Sequence, residues 1–145
     1  MATVSDILAG KGLRLITVSP RATGFEAAVL MNENKTGSVM VMEDGRLVGI
    51  LTERDILRRV VADQRDANVT RVNEVMTSDV ICCRPHTELE EAKSVMKHRR
   101  IRHLPVLTDD DTVVAMISIG DLNAYQVDYQ ERTIYQLQEY IHGTW

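Results

Sequence analysis

Two four-residue runs hold the side chains best placed to do chemistry. Thr52-Glu53-Arg54-Asp55 and Ser118-Ile119-Gly120-Asp121 each set a hydroxyl three residues before a carboxylate. Each follows an apolar stretch that reads as a buried strand, Gly49-Ile50-Leu51 in one case and Ala115-Met116-Ile117 in the other. A strand that ends on Thr or Ser and turns into a helix puts that residue at the N-cap and the Asp at N3, in the positive first turn. That is a complete capping arrangement. The same groups could also hold a ligand. Backbone N–H groups at a helix start attract phosphate. The hydroxyl can bond a phosphate or ribose oxygen, and the carboxylate can accept from both hydroxyls of a ribose. Gly49 would let a ligand approach the backbone closely. One such motif favours plain capping; two in register shift the balance toward a ligand site.

A third run, His98-Arg99-Arg100-Ile101-Arg102-His103-Leu104-Pro105, is rich in cations. Those up to Arg100 fit a helix C-terminus, which favours positive charge. Arg102 and His103 lie beyond it, where a strand begins, and capping does not explain them. A guanidinium suits planar recognition of phosphate, and the histidine could add a donor.

These runs belong to a larger duplication. Residues 16–56 and 80–122 are two versions of one unit: Pro20, Ala27 and Met31 fall on Pro85, Ala92 and Met96 at a shift of 65, and Thr52 and Asp55 fall on Ser118 and Asp121 at a shift of 66. One extra residue in the Asp109–Asp111 turn makes the difference. Two copies of a supersecondary unit imply two versions of any site. Arg102 and His103 align with Gly37 and Ser38, which are neutral, so the two sites should differ in anion affinity.

Each copy predicts β-α-β-β-α. Strands over Ile16–Ser19 and Val80–Arg84 are stopped by Pro20 and Pro85, since proline cannot donate to a ladder. Helices follow over Gly24–Asn32 and Thr87–Lys97, the second with a Thr87/Glu90 capping box. Hairpins follow: Ser38–Met42 with Arg46–Leu51, and Leu104–Leu107 with Val113–Ser118. Closing helices are expected over Glu53–Ala62 and Ile119–Val127. Val4–Leu8 resembles Val72–Met76, so each copy has a short lead-in. The predicted division is residues 1–62 for the first repeat, 63–71 for a polar linker, 72–127 for the second repeat and 128–145 for a tail. The tail reads as an amphipathic helix, with Ile134, Leu137 and Ile141 on one face and Gly143 at its end. The fold class is α+β, with the two sheets packed together about a pseudo-two-fold axis.

Composition bounds the function. The chain has 145 residues, 44% of them hydrophobic and 26% charged, with a net charge of −4. It is long enough for a core without disulfides or metals. The acidic balance disfavours nucleic acid as a partner. The N-terminus lacks the pattern of a signal peptide and no apolar run is long enough to cross a membrane, so a cytoplasmic protein is expected. Adjacent Cys82 and Cys83 point to opposite faces of a strand and are poorly placed to bond each other. They read as reduced, packed residues, with a redox-sensing thiol as a remote alternative. No phosphate-binding loop, zinc-protease, nucleophile-elbow or metal-ligand motif is present, so an enzyme is not expected.

On the endings at 49–55 and 115–121, the IRHLPV stretch at 101–106 and the repeat length, the chain resembles a tandem pair of CBS domains, a Bateman module. TERD at 52–55, SIGDL at 118–122 and TIYQLQEYIHG at 133–143 make it similar to small stand-alone two-CBS proteins. That resemblance implies a non-enzymatic regulatory or signal-transduction module, and a homodimer acting on an effector protein. It implies two clefts that bind an adenine nucleotide: AMP first, with ADP, ATP, NAD(H) or S-adenosylmethionine as alternatives. It implies no obligatory cofactor. By position, Asp55 and Asp121 would hold ribose hydroxyls, and Thr52 and Ser118 would meet ribose or phosphate oxygens. The backbones of Thr17-Val18 and Ile81-Cys82 would bond the adenine edge. Arg102 and His103 would face phosphate, helped by Arg54. Gly37-Ser38-Val39 and Leu104-Pro105 complete the implied walls. Two departures stand out: Ala115 replaces the motif glycine, and Cys82 replaces Thr17. The competing reading is a dimerisation scaffold with vestigial clefts.

Overall fold

A computed structural model describes residues 1–12 and 14–126. The expected tail helix, with Ile134, Leu137 and Ile141, lies outside the described residues.

The first repeat contains β1 (Thr17–Val18), α2 (Gly24–Asn34), β2 (Ser38–Glu43), β3 (Arg46–Thr52) and α3 (Glu53–Ile56), preceded by α1 (Val4–Lys11). β1 pairs parallel to β2, and β2 pairs antiparallel to β3. The second repeat contains α5 (Leu89–Arg99), β4 (His103–Leu107) and β5 (Val113–Ser118), preceded by α4 (Val72–Val75). Its closing helix, α6, runs through residues 119–126. The strand expected at Val80–Arg84 contracts to a single bridge, Cys83 to Val106, parallel as in the first copy. Strands and helices therefore alternate within each repeat, an α+β architecture.

Local chemistry accounts for the elements. Asp44 and Gly45 both have positive φ, 51° and 76°, as a two-residue hairpin turn requires. α2 and α5 both end on a left-handed residue, Lys35 and Arg100, 65 positions apart. A bulge follows Val41 in one hairpin and Val106 in the other, at equivalent places. Two expectations are corrected. Thr87 does not cap α5: its hydroxyl accepts from the Arg84 N–H, and Glu88 holds the N-cap instead. The functioning box on the equivalent helix is Thr23/Glu26 of the first repeat. The helix expected over Glu53–Ala62 is α-helical only to Ile56; Leu57–Val61 widens into a π-helical turn, with the Ala62 N–H reaching Leu57.

The cores do not follow the order of the chain. Val4, Ile7 and Leu8 of α1 are buried among Leu89, Met96, Leu104 and Ile117 of the second repeat. Val72 and Val75 of α4 are buried among Ala27, Met31, Val41 and Leu51 of the first. Each lead-in is exchanged onto the other copy, and the attachment is duplicated residue for residue. Val4 and Ser5 donate to the carbonyls of Thr87 and Pro85; Val72 and Asn73 donate to those of Ala22 and Pro20. The division at 1–62 and 72–127 thus orders the repeats in sequence, while each hydrophobic core draws on both segments. Burying Val4, Ile7 and Leu8 on one side and Val72 and Val75 on the other makes the exchange a substantial apolar contribution.

Candidate functional site

Both hydroxyl–carboxylate pairs form reciprocal caps. The Thr52 N–H donates to Asp55 Oδ2 at 3.0 Å, and the Asp55 N–H donates to Thr52 Oγ1 at 3.2 Å. The Ser118 N–H donates to Asp121 Oδ2 at 2.8 Å, and the Asp121 N–H donates to Ser118 Oγ at 3.1 Å. Each pair also opens onto a cleft, so capping and ligand binding are compatible here.

The first cleft, of about 610 Å³, runs between the repeats. Thr52, Arg54 and Asp55 line one side, and Arg100, Arg102 and His103 line the other. Arg54 reaches across to the Arg100 carbonyl at 3.4 Å. Among the described residues Arg54, Arg100 and Arg102 make no salt bridge, so their charge is available to an anion. Asp55 is 8% exposed, and its Oδ1 accepts from Thr77 Oγ1 at 3.2 Å.

The second cleft is smaller, about 270 Å³, and is built from equivalent positions. Ser118 and Asp121 face Lys35, Gly37 and Ser38. Gly37 and Ser38 are neutral as expected, yet the cleft is not. Lys11 enters it from the end of α1 and Arg14 from the stretch that follows, and Lys35 adds a third cation. The Lys11 ammonium donates to Asp121 Oδ2 at 2.6 Å and to the Met116 carbonyl at 2.7 Å. Lys11 stands where Thr77 stands in the first cleft. Thr77 bridges the backbone of Ile50 and bonds Asp55; Lys11 bonds Met116, the equivalent of Ile50, and Asp121.

The structure therefore brings Thr52, Arg54, Asp55, Arg102 and His103 together in one cleft, and Ser38, Ser118 and Asp121 in the other, with Gly37, His103 and Ser118 touching both. It does not bring the remaining candidates to the cleft walls. Thr17 and Val18 form β1 with Ile16, rather than either of them, on the second cleft wall. Ile81 and Cys82 lie outside both walls. Val39 and Leu104 are core residues at 1% exposure, and Pro105 is a β4 residue whose carbonyl accepts from Cys83. Gly49 is also reassigned: a Cβ there would sit 2.5 Å from Met76 Sδ and 3.0 Å from the Thr77 carbonyl. The close approach it permits is by the chain leaving α4, and not by a ligand. Sequence reasoning missed Lys11, Arg14, Lys35, Thr77 and Arg100. One signal was present: Lys35 and Arg100 align at the shift of 65, both basic at a helix exit.

Burial keeps the cleft histidine uncharged and both thiols protonated. Burial holds the His103 imidazole below its ordinary 6.5, assisted by the Arg102 guanidinium and opposed by Asp121, so the ring is neutral at pH 7. Burial pushes the Cys83 thiol up to about 12, and desolvation raises Cys82 more than the nearby Arg84 lowers it. Thiolate is the reactive form, so neither cysteine is primed. Among the described residues no cluster of metal-ligating side chains exists and no helix is long and apolar enough to cross a membrane.

The CBS domain family matches the chain twice, over residues 3–62 and 72–128. The chain belongs to the CBS-domain family. The CBS domain-containing protein YhcV of Bacillus subtilis is 38% identical over 127 residues, 88% of this chain and 87% of that protein. Among solved structures, a protein with CBS domains from Burkholderia ambifaria is 36% identical with a TM-score of 0.84, covering 88% of this chain and 95% of that one. A CBS domain protein from Pyrobaculum aerophilum, solved in complex with AMP, is 25% identical with a TM-score of 0.74, covering 82% and 88%. The two clefts thus lie between two CBS repeats.

Proposed function

We propose that this CBS pair is a non-enzymatic regulatory module that binds an adenine nucleotide, AMP foremost, in the clefts between its repeats. The observation that carries the reading is the first cleft. It combines a carboxylate and hydroxyl at the start of α3 with three guanidinium groups, contributed by both repeats and making no salt bridge among the described residues. A nucleoside monophosphate has the matching parts: a diol for Asp55 and a phosphate for Arg54, Arg100 and Arg102. The AMP complex of the Pyrobaculum relative supports the ligand class. Because Arg54 and Asp55 come from the first repeat and Arg100 and Arg102 from the second, a bound ligand joins the repeats. Differential affinity for two repeat arrangements would then transmit nucleotide status to an effector.

Self-association belongs to the same reading. α2 and the π-helical turn leave Phe25, Val29, Leu57 and Val61 exposed, at 51%, 37%, 62% and 62%. The aligned positions of the second repeat include Glu90, Ser94 and Asn123. This apolar face of the first repeat supports a homodimer joined through the first repeats. A cytoplasmic setting is proposed on the same footing.

Calorimetric titration tests the ligand. AMP should bind wild-type protein, and Arg102→Ala should weaken it by about tenfold, the scale of one charge-assisted hydrogen bond. The loss should shrink as salt rises from about 0.05 to 0.5 M, because exposed charges are screened. No heat with AMP, ADP, ATP, NAD+, NADH or S-adenosylmethionine would favour the scaffold reading, with vestigial clefts.

A further inference from the structure

The second cleft has a feature the first lacks. Asp121 Oδ2 already accepts the Ser118 N–H and the Lys11 ammonium, which also bonds the Met116 carbonyl. A ribose hydroxyl donating to that carboxylate must compete with an ion pair 2.6 Å long. In the first cleft the group that bonds the equivalent carboxylate is the Thr77 hydroxyl at 3.2 Å, while the Arg59 guanidinium stands farther off, 4.0 Å from Oδ1, and bonds the Val75 and Met76 carbonyls instead. A hydroxyl can rotate away and bond water or ligand at little cost; an ammonium that leaves a carboxylate gives up a charge-assisted bond, which an anionic group on the ligand replaces better than water does. Arg14 and Lys35 line the same cleft, so a displaced Lys11 among them is unfavourable unless the ligand brings negative charge. A second observation points to a ligand independently. Ser38 is 3% exposed, lines this cleft, and its Oγ is the one fully buried side-chain polar atom without a partner among the described residues. Buried hydroxyls are ordinarily satisfied.

We propose that Lys11 is the specificity-determining residue of the second cleft: a tethered cation that holds Asp121 against an uncharged ribose ligand and yields it to one carrying an anionic group. The inference rests on the adenine-ligand reading above. It adds that the second cleft selects ligands by charge. A phosphate accepts the displaced ammonium, the four-carbon stem of Lys11 gives it reach, and Ser38 Oγ gains a partner. Adenosine offers the same base and diol but nothing to receive Lys11.

Amide NMR titrations of wild type and Lys11→Met with AMP and with adenosine test this. Asn34 and Lys35 report the second cleft, and Arg100 and Ile101 the first. The wild-type second cleft should prefer AMP to adenosine by at least about tenfold, equivalent to about 1.4 kcal/mol. In Lys11→Met adenosine should tighten, AMP should not, and the preference should collapse; Lys11→Gln should behave alike. An AMP-to-adenosine ratio unchanged by either variant overturns the proposal. If Arg100 and Ile101 respond in wild type while Asn34 and Lys35 respond in neither protein, the second cleft is not a ligand site. The proposal then falls and the adenine reading stands. If no amide responds in any protein, both fall.

Discussion

Asp55 is asked to do two things, and replacing it two ways separates them. Its carboxylate accepts from the Thr52 N–H, Thr52 Oγ1 and Thr77 Oγ1, and it is 8% exposed. Asp55→Ala removes all three hydrogen bonds. Loss of an N-cap partner costs about 1 kcal/mol. The two hydroxyls border a cleft open to water and can re-bond, so together they add only about another 1 kcal/mol. With about 2 cal/mol/K of unfolding entropy per residue, a chain of this length loses about 3 °C of melting temperature per kcal/mol, so Asp55→Ala should melt about 6 °C lower. Asp55→Asn keeps an oxygen for Thr52 in the place of Oδ2 and sets its amide nitrogen, a donor to the Thr77 hydroxyl, in the place of Oδ1; it should melt within about 2 °C of wild type, since Asn caps as well as Asp. A neutral amide cannot reproduce a carboxylate accepting from two ribose hydroxyls, so both variants should lose AMP affinity in the first cleft by at least about tenfold. Differential scanning fluorimetry and calorimetric titration on the same samples read the two effects. If Asp55→Asn binds AMP as wild type does, the carboxylate is a structural cap and the ribose assignment is wrong. If Asp55→Ala melts with wild type, the cap reasoning is wrong as well.

Two further outcomes follow from burial. The His103 imidazole has a folded-state value below 6.5, held there by desolvation, with Arg102 and Lys11 acting the same way and Asp121 against. The unfolded chain therefore takes up the proton more readily, stability is full above pH 6.5, and it declines as pH falls below that toward the lowered value. His103→Gln should flatten that part of a melting-temperature-versus-pH curve, and an unaltered slope would assign the loss to other groups. The apolar face of the first repeat predicts that Leu57→Asp, at a position 62% exposed, converts a sedimenting dimer to monomer without lowering monomer stability. A wild-type protein that sediments as a monomer at about 0.1 mM would end the homodimer reading, since a dimer weaker than that lies below ordinary specific association.

Much of this molecule is legible in its sequence because the duplication is. The β-hairpins, the helix N-caps at Thr52 and Ser118 and the cation-rich exit of α5 all follow from residue types at fixed spacing. The exchange of lead-ins does not. Val4–Leu8 and Val72–Met76 are recognisable as equivalents, but an apolar turn of helix carries no address stating which of two similar cores it fills. Gly49 shows the same limit. Its lack of a side chain signals a close approach, and only the fold tells that the approaching atoms belong to Met76 and Thr77. Lys11 and Arg14 were unreadable for a related reason: they reach the second cleft only because α1 crosses to the second repeat.

That crossing makes the two clefts unequal. Each motif carboxylate is met by the lead-in of the other copy, Asp55 by Thr77 and Asp121 by Lys11. Had each lead-in stayed with its own repeat, the divergence between a threonine and a lysine would have altered one repeat's surface. Because they are exchanged, it alters what a ligand must displace. A hydroxyl leaves Asp55 at small cost, so on the proposed reading the first cleft fills according to affinity alone. An ammonium leaves Asp121 most readily for another anion, so on the same reading the second fills according to ligand charge. The same asymmetry marks Ala115. Repeat two needs no glycine opposite Gly49, because a flexible lysine side chain, and not a backbone strand, bonds the Met116 carbonyl beside it. The substitution is therefore compatible with an intact second cleft.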